Sequence, residues 1–473
     1  FRSSPYYIGK MDIWYGFASK GFDILKNKGI ECFIAQNNWV TSSGASILRK
    51  DVLTRTEIKQ FIDFGDYKVF QSAGIQTMIY LLQKNAKPSD EYQVYYAGLT
   101  DSNINKNQLE DFLNIDKLIS KQRFFIKFEI AFNNKNYFDT TINFDNPQLV
   151  SLLDRVSLKK NFELNEKEVI QGIVGAPDKA FIVRDEELHN FNSEELQFIK
   201  PFYTNSTGIA SENIIYLCEK NFNNKNIKDF INLFKHFEPY KEELIEAKNR
   251  YKTPNKKYFY LHRERDENFF KKGSKIICQA RCLSNCFFYT ENEYYASRAL
   301  NIIKTDRINL KYLVTFLNSK LIYFYYKNRG SIQGIMLKFD KGPLLKIPIY
   351  KPENYSPFIE LFELITTTLQ SKENIIEGIN NKHIANFFQE IVDACFFEIY
   401  FENEMREKNI LMIEGINKHI KSIGDFISLK AEKKLETVQT LYSIFSNPDN
   451  EVRNRIKSFS LLSPDVLGVI LNS

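Results

Sequence analysis

Residues 21–53 have the sequence GFDILKNKGIECFIAQNNWVTSSGASILRKDVL, in which a helix, a glycine turn and a strand precede a polar loop and a second helix. Apolar residues at helical spacing predict the first helix over Met11–Lys26. Ile30–Ala35 predicts a short buried strand and Ser43–Leu53 the second helix. Such alternation is typical of α/β domains, in which ligands bind where strands end. The polar loop Gln36–Ser42 is therefore a candidate edge of a binding site.

Beyond this stretch the periodicity changes twice. A region of short strands, turns and a few helices follows, and the chain after Pro357 is almost entirely helical in pattern. The clearest predicted elements are the strands Phe61–Phe64, Ile75–Leu82 and Arg123–Phe132 and the helices Leu149–Val156, Asn226–Phe237 and Leu313–Tyr326. The expected fold is an α/β part, then a mixed α+β part, then a helical tail.

Positive charge is concentrated in one block of the sequence. The whole chain of 473 residues has a formal net charge of +6. Tyr251–Tyr350 alone contains 19 Lys and Arg against 7 Asp and Glu, so the remainder of the chain is net negative. A block of this kind predicts a surface that binds phosphate groups. The alternative is an uneven scatter of solvated lysines.

The composition excludes several classes of protein. Hydrophobic residues make up 43% and charged residues 26%, as in ordinary globular proteins. No run approaches the length of apolar sequence that a membrane-spanning helix needs, so no membrane partner is expected. The N-terminal residues lack a secretion-signal pattern. Six cysteines in so long a chain indicate reduced thiols, and a cytoplasmic protein is expected.

The segments ILRKDVL, from Ile47, and IKQFIDFGDYKVFQSAGIQTMIYLLQK, from Ile58, carry a specific likeness. They resemble the second half of the catalytic domain of adenine-N6 DNA methyltransferases of the TaqI-like class. That family stacks a loop phenylalanine on the flipped-out target adenine, and Phe70 falls near that position. An aromatic face suits the task because it replaces stacking that the base loses. The alternative is that Phe70 is one of 41 phenylalanines, packed beneath a loop.

Two motifs of that family are missing from the sequence. The family binds S-adenosylmethionine with a Gly-rich strand-to-helix turn and holds the target amino group with an Asn-Pro-Pro-Tyr or -Phe loop. Here only Pro5 and Tyr6 of Ser3-Ser4-Pro5-Tyr6 match, so this loop is either degenerate or similar by chance. The resemblance implies an S-adenosylmethionine-dependent parent enzyme and no cofactor-binding residue in this chain. We expect a fragment, inactive by itself, whose partner is the missing N-terminal half or a separate catalytic chain.

A second likeness begins at KEVIQGIVGAPDKAFIV, from Lys167, which resembles the opening of the specificity domain of TaqI-like methyltransferases and fused restriction–modification enzymes. Later segments follow the family's order: IKPFY, FEPYKEELIEAKNRY, YFYLHRERDENFFKKGSKIICQARCLSN, FLNSKLIYFYYKN and LLKIPIY. This domain contains the basic block, so double-stranded DNA is the expected partner. The candidates for phosphate or guanine contacts are Arg263, Arg265, Arg281, Arg298, Arg329 and Lys338. The alternative for each is an exposed ion pair.

Three cysteines, Cys278, Cys282 and Cys286, recur every four residues. On a strand this spacing places all three side chains on one face. The spacing does not match common zinc or iron–sulfur patterns. We therefore expect buried thiols and no metal site.

The last motif lies in the helical tail. Residues 386–403 resemble the C-terminal helix of large fused restriction–modification methyltransferases, with matches at Asp393, Glu398 and Tyr400. This likeness favours a large type II enzyme over a compact methyltransferase. We expect the tail to pack on the specificity domain or to separate it from a neighbour.

These observations predict four regions. Residues 1–85 would be the C-terminal half of a Rossmann-like methyltransferase domain, 86–162 a connecting α+β segment, 163–350 the DNA specificity domain and 351–473 a helical region. The expected function is site-specific adenine-N6 DNA methylation by the parent enzyme, with this chain stacking the base and recognising DNA. The alternatives are the methyltransferase and specificity part of a bifunctional type IIG restriction endonuclease, or a non-catalytic specificity subunit.

Overall fold

The protein is described from a computed structural model. The structure describes residues 3–72, 74–88, 92–99, 101–114, 123–127, 142, 147–206, 208, 210, 212–223, 225–333 and 335–473. The chain forms two compact units, Phe1–Asp154 and Arg155–Ser473. The predicted boundaries at residues 85, 162 and 350 do not divide compact units, so the four regions remain predictions about the roles of the segments.

The first unit contains a mixed sheet whose described strands number five. They are β1 (Ile30–Gln36), β2 (Thr56–Asp63), β3 (Thr77–Lys84), β4 (Gln93–Gly98) and β5 (Arg123–Lys127). The helices are α1 (Ile13–Ile24), α2 (Ser46–Arg55), α3 (Lys106–Leu113) and α4 (Pro147–Leu158), the last of which contains the unit boundary. The strand order is β1-β3-β2-β4-β5. Strand β3 runs antiparallel to β1 and β2 on either side of it, and β4 runs parallel to β2.

The sequence patterns located the elements between residues 11 and 84 to within a few residues, but they did not indicate β4 or α3. The main difference is β2, which begins at Thr56 rather than at Phe61. Strand β5 contains the first part of the predicted strand Arg123–Phe132, and the rest of that prediction lies outside the described residues. The core of the unit is aromatic, with Trp39, Phe61 and Tyr80 all at most 1% exposed. Ring centroids of Trp39 and Tyr80 lie 5.5 Å apart.

The second unit combines small sheets with helices. Its strands are β6 (Val169–Gln171), β7 (Ile182–Val183), β8 (Ile199–Tyr203), β9 (Glu212–Ile215), β10 (Lys275–Gln279), β11 (Arg281–Cys282), β12 (Phe287–Thr290), β13 (Tyr295–Ala296), β14 (Leu300–Ile303), β15 (Ile332–Gln333) and β16 (Met336–Lys338). They form sheets of order β12-β10-β14-β6, β13-β8-β9-β7 and β11-β16-β15. The shorter helices between them are α5 (Ser193–Leu196), α6 (Glu219–Phe222), α7 (Ile231–Phe237), α8 (Lys241–Arg250), α9 (Leu310–Leu317), α10 (Lys320–Arg329) and α11 (Lys341–Leu345).

The tail is helical, as the sequence predicts. Its helices are α12 (Phe358–Gln370), α13 (Asn381–Glu407), α14 (Ile413–Ser422), α15 (Ala431–Ser446), α16 (Glu451–Leu462) and α17 (Val469–Leu471). The predicted mixed α/β architecture with a helical tail is therefore confirmed. Among the helices of the described residues, none is both long and apolar enough to cross a membrane.

Three sequence expectations within this unit differ from the structure. The predicted helix Asn226–Phe237 is α-helical only from Ile231, because the non-helical backbone of Phe230 separates it from a short 3-10 helix at Ile227–Asp229. The helix predicted over Leu313–Tyr326 is two helices, α9 and α10, because the Ser319 side chain accepts the Ile322 N–H and begins a new helix. The three cysteines do not share one strand, because β10 ends at Gln279 and Cys282 belongs to β11, which pairs with β16. Cys278 is buried as expected, whereas Cys282 and Cys286 are only partly buried.

The tail motif has a structural role in this unit. The half-buried Asp393 side chain accepts the Lys320 N–H with its carboxylate at the start of α10, at 2.7 Å. The Glu398 carboxylate accepts the Ile413 N–H at the start of α14, at 2.8 Å. The Tyr400 hydroxyl donates to the Pro348 carbonyl at 2.7 Å. All three side chains thus satisfy backbone groups outside α13, and they join this helix to its neighbours.

Tyr400→Phe should lower the free energy of unfolding by about 1–3 kcal/mol, because it leaves the buried Pro348 carbonyl without its donor. Thermal or urea unfolding followed by circular dichroism measures the change. Tyr323→Phe is the matched control, because no hydrogen bond of that hydroxyl is found in the described part of the chain. Equal stability of the two variants would contradict the role given to Tyr400.

Candidate nucleic-acid interface

In the first unit, polar groups join the ends of two parallel strands. The Asp63 carboxylate, at the end of β2, accepts the Asn37 side-chain amide at 3.1 Å and the Gly65 N–H at 3.0 Å. Asn37 directly follows β1, so these contacts hold the carboxyl ends of β1 and β2 together. Burial raises the pKa of Asp63, and its two donors oppose the shift. Gly65 has a φ of +52°, which a glycine adopts without strain as the chain turns away from β2.

Phe70 lies on the loop that leaves this strand end, between β2 and β3. Its side chain is 47% exposed, so it is not part of the core of the unit. Burial within a loop, the alternative to a binding role, does not describe this ring. Contact between Phe70 and a flipped adenine remains a prediction.

The loop Gln36–Ser42 is closed from beneath by a buried arginine. Arg49 of α2 is 2% exposed, and its Nη1 donates to the carbonyls of Trp39 at 2.7 Å and Ser42 at 2.5 Å. The Trp39 ring is fully buried as well, so the backbone of this loop rests on the core of the unit. Arg49 was missed in the sequence, although its helical spacing from Val52 and Leu53 places it on the buried face.

The partly matching segment Ser3–Tyr6 is held against the helices of the first unit. The Tyr6 hydroxyl donates to the carboxylate of Asp23 in α1. Asp23 also pairs with Arg55 of α2 at 2.7 Å. The aromatic residue that matches the family's loop therefore serves as a tether in this structure.

In the second unit, Arg265 holds the segment that opens the predicted specificity domain. Its Nε donates to the Gly172 carbonyl at 3.1 Å and its Nη2 to Gln171 Oε1 at 3.3 Å. Arg265 has a φ of +66°, an uncommon conformation for a residue with a side chain. Two of the five N–H groups of its guanidinium are thus used within the protein.

Arg298 and Arg263 lie beside the same segment and are exposed. The Arg298 carbonyl accepts the Gln171 side-chain amide at 2.9 Å, and its Nε lies 3.5 Å from Asp178 Oδ2. Arg263 contributes its backbone to a bridge with Val174. Both guanidinium groups therefore remain at the surface, where a phosphate could replace a weak ion pair.

The structure brings Arg281 and Lys338 together, although they are distant in sequence. They are directly opposed in the antiparallel pairing of β11 with β16. Arg281 Nε donates to Gln333 Oε1 at 2.9 Å, and Lys338 Nζ lies 2.9 Å from Asp340 Oδ2. Arg329, at the end of α10, donates from Nη1 to Ser157 Oγ at 3.2 Å. The six predicted residues thus form two groups, with Arg329 apart from both.

The cysteines of this unit do not indicate a metal centre. The Sγ atoms of Cys282 and Cys286 lie 2.6 Å apart, and Cys278 is fully buried beside them. Burial raises the pKa of the Cys278 thiol. In the described residues, no group of three or more His, Cys, Asp or Glu side chains is placed to hold a metal ion.

Two segments of the chain, one in each unit, match known protein families. Residues 2–70 match the family described as Eco57I restriction-modification methylase. Residues 219–349 match the TaqI-like C-terminal specificity domain. Beyond these two segments, the chain is homologous to the type II methyltransferases M.HindII and M.HincII. The specificity match contains all six predicted basic residues, while the segment Lys167–Val183 precedes it and its assignment remains a prediction.

Individual type II methyltransferases support the same relation. The chain is 23% identical to type II methyltransferase M.HindII of Haemophilus influenzae over 410 residues, which are 79% of this chain and 72% of that protein. It is 24% identical to M.HincII of the same species, covering 79% of this chain and 71% of that protein. It is also 22% identical to the putative type II restriction enzyme and methyltransferase RM.MjaORFECS2P of Methanocaldococcus jannaschii, covering 92% of this chain and 32% of that protein.

Solved structures of restriction–modification enzymes are also similar in part. The type IIL enzyme MmeI, solved in complex with DNA, covers 97% of this chain at 13% identity, with a TM-score of 0.49. The type IIG endonuclease BpuSI covers 84% at 12% identity, with a TM-score of 0.31. This chain spans about half the length of those two proteins, 52% and 50% respectively.

Gly172→Ala should disrupt the segment that Arg265 and Arg298 hold. A Cβ at this position would lie 2.2 Å from the Ser297 carbonyl oxygen and 2.3 Å from that of Ala296, so the backbone would have to move. We expect a loss of about 1–3 kcal/mol in the free energy of unfolding, measured by urea denaturation. Gly342→Ala is the control, because nothing lies within 4 Å of its added Cβ. A neutral Gly172→Ala variant would contradict the close packing.

Proposed function

We propose that this chain is the base-holding and DNA-recognising part of a site-specific adenine-N6 DNA methyltransferase. The observation that carries the proposal is the order of the two family matches along the chain. A methylase match ends at residue 70, where an exposed aromatic ring stands on a strand-end loop, and a specificity-domain match then contains the basic residues. The type II methyltransferases that this chain resembles favour DNA as the substrate.

The proposed work of the chain's own residues has two parts. The basic side chains of the second unit hold the phosphates of double-stranded DNA and place the duplex. Phe70 offers a ring to the adenine that has left the helix, and it offsets the lost stacking. Asp63 and Asn37 fix the strand ends from which the Phe70 loop begins. S-adenosylmethionine supplies the methyl group when it is bound by the catalytic half of the enzyme.

We further propose that the cofactor-binding half, within one polypeptide or as a separate chain, docks beside β1. Strand β1 is at the edge of the sheet as far as the structure describes it. Its Ile30 and Ile34 are 53% and 42% exposed. In α1, Ile13 and Phe17 are 62% and 65% exposed. An uncovered strand edge flanked by apolar side chains suits the addition of further strands.

A bifunctional type IIG restriction endonuclease is the second candidate for the parent protein. It is favoured by the likeness to the putative restriction enzyme and methyltransferase of M. jannaschii, which extends over 92% of this chain but only 32% of that protein. In such a protein this chain would keep the same two tasks. A non-catalytic specificity subunit would keep only the DNA grip.

Binding to duplex DNA should weaken steeply with salt, because each phosphate contact releases condensed counterions. Six phosphate contacts correspond to a slope of about −5 when the logarithm of the binding constant is plotted against the logarithm of the salt concentration. Replacing Arg263 and Arg298 together by Gln should reduce the slope by about 2. Fluorescence anisotropy of a labelled duplex across a salt series measures both effects.

The double variant Lys421→Gln, Lys433→Gln is the control, since it removes the same charge from the helical tail. If the DNA affinity of the unmodified chain does not change with salt, binding of DNA phosphates by its basic residues is refuted. Equal slopes for the two double variants would refute the assignment to Arg263 and Arg298.

Phe70→Ala should weaken binding of an unpaired adenine rather than binding of the duplex. We compare two duplexes of the recognised sequence, one intact and one with an abasic site opposite the target adenine. The affinity advantage of the second duplex should fall by about 1–3 kcal/mol, while Phe70→Trp should retain it.

Ile75→Ala is the matched control, because Ile75 is an exposed apolar residue of the same loop, 43% exposed. Circular dichroism checks that each variant is folded. Equal losses on both duplexes for Phe70→Ala, or the same behaviour of Ile75→Ala, would refute the stacking role.

A further inference from the structure

The sheet β11-β16-β15 has one face turned to solvent. Opposed residues of antiparallel strands point to the same side, and the side alternates along each strand. Arg281 is opposite Lys338, and Gln333 is opposite Met336. These four residues therefore share one face. The hydrogen bond from Arg281 Nε to Gln333 Oε1, which crosses β16, confirms the arrangement.

The other face of the sheet is anchored in the core. Leu337 is 3% exposed, and Phe339, directly after β16, is fully buried. The buried Tyr326 of α10 donates its hydroxyl to the Lys338 carbonyl at 2.6 Å. The Phe339 N–H donates to the Ala280 carbonyl at 3.0 Å. The outward side chains thus stand on a rigid support, which base recognition requires.

The outward face combines groups that suit the edges of base pairs. Arg281 and Gln333 are exposed, and Arg and Gln form bidentate contacts with guanine and adenine respectively. Beyond its bond to Gln333, no partner of the Arg281 guanidinium is found in the described residues. Met336 and Ile335 are 36% and 73% exposed, and such apolar groups suit the thymine methyl. The major groove admits a two-stranded β-ribbon, and β15 with β16 forms such a ribbon beside Arg281 of β11.

We propose that this face enters the major groove of DNA, and that Arg281 and Gln333 determine specificity by contacting base edges. The inference rests on the proposed function, since it requires the chain to bind duplex DNA. It separates two kinds of basic residue. Arg263 and Arg298 hold phosphates, whereas Arg281 is positioned by Gln333 to contact bases. Lys338, paired with Asp340 at the rim, adds charge rather than discrimination.

The test is selection of duplexes from a randomised library by the full chain, followed by sequencing. The unmodified chain should enrich one recognition sequence. Arg281→Ala and Gln333→Ala should each lose roughly 5- to 150-fold of discrimination at one or two base pairs, with other positions unchanged. Arg281→Lys keeps the charge but loses the planar fork, so it should retain overall affinity and still lose discrimination.

Lys327→Ala, which removes a charge from α10 of the same unit, is the control and should leave the enriched sequence unchanged. Circular dichroism confirms folding, which the exposed positions of the substitutions should preserve. If the unmodified chain does not bind duplex DNA, the proposed function itself fails. If it enriches no sequence, if Arg281 and Gln333 variants keep the enriched sequence, or if they only lose affinity uniformly, base recognition by this face is refuted.

Discussion

Several buried or half-buried carboxylates accept backbone N–H groups that helix starts and strand ends leave without partners. Asp63 does this where β2 ends, Asp393 where α10 begins and Glu398 where α14 begins. Glu195 is fully buried and accepts the N–H groups of Asn232 and Leu233 at the start of α7. An unpaired N–H in the interior is costly, so each carboxylate fixes where a segment begins. The positions of the functional loops follow from these contacts.

Local signals account for the parts of the fold that the sequence predicted well. The helix before β1 and the strand itself are marked by periodicity and by glycine, and those patterns depend on neighbouring residues only. The prediction of a single helix over Leu313–Tyr326 was wrong because the Ser319 side chain caps a new helix within the apolar periodic stretch. The one-strand arrangement considered for the three cysteines is absent for a different reason. The pairing of β11 with β16 depends on residues far along the chain, which no local pattern contains.

The residues of the candidate site, too, were only partly predictable from the sequence. Composition located the basic block, and the family motifs selected arginines within it. Neither could distinguish Arg265, which holds Gly172 and Gln171, from Arg263 and Arg298, which face solvent. Gln333 was not selected at all, because a single glutamine carries no signal until β16 places it beside Arg281. The exposure of Phe70 likewise follows from the strand end that Asp63 fixes.

The exposed edge strand β1 affects which molecules the newly made chain associates with in a cell. An edge strand with exposed isoleucines on one face is a template for pairing with another strand, including one from a second copy of the same polypeptide. Docking of the proposed cofactor-binding half and association with a second copy would then compete for the same surface. The yield of functional enzyme would depend on the order in which these encounters occur after synthesis. Synthesis of the two halves close together, or within one polypeptide, would favour their association by raising the local concentration of each half near the other.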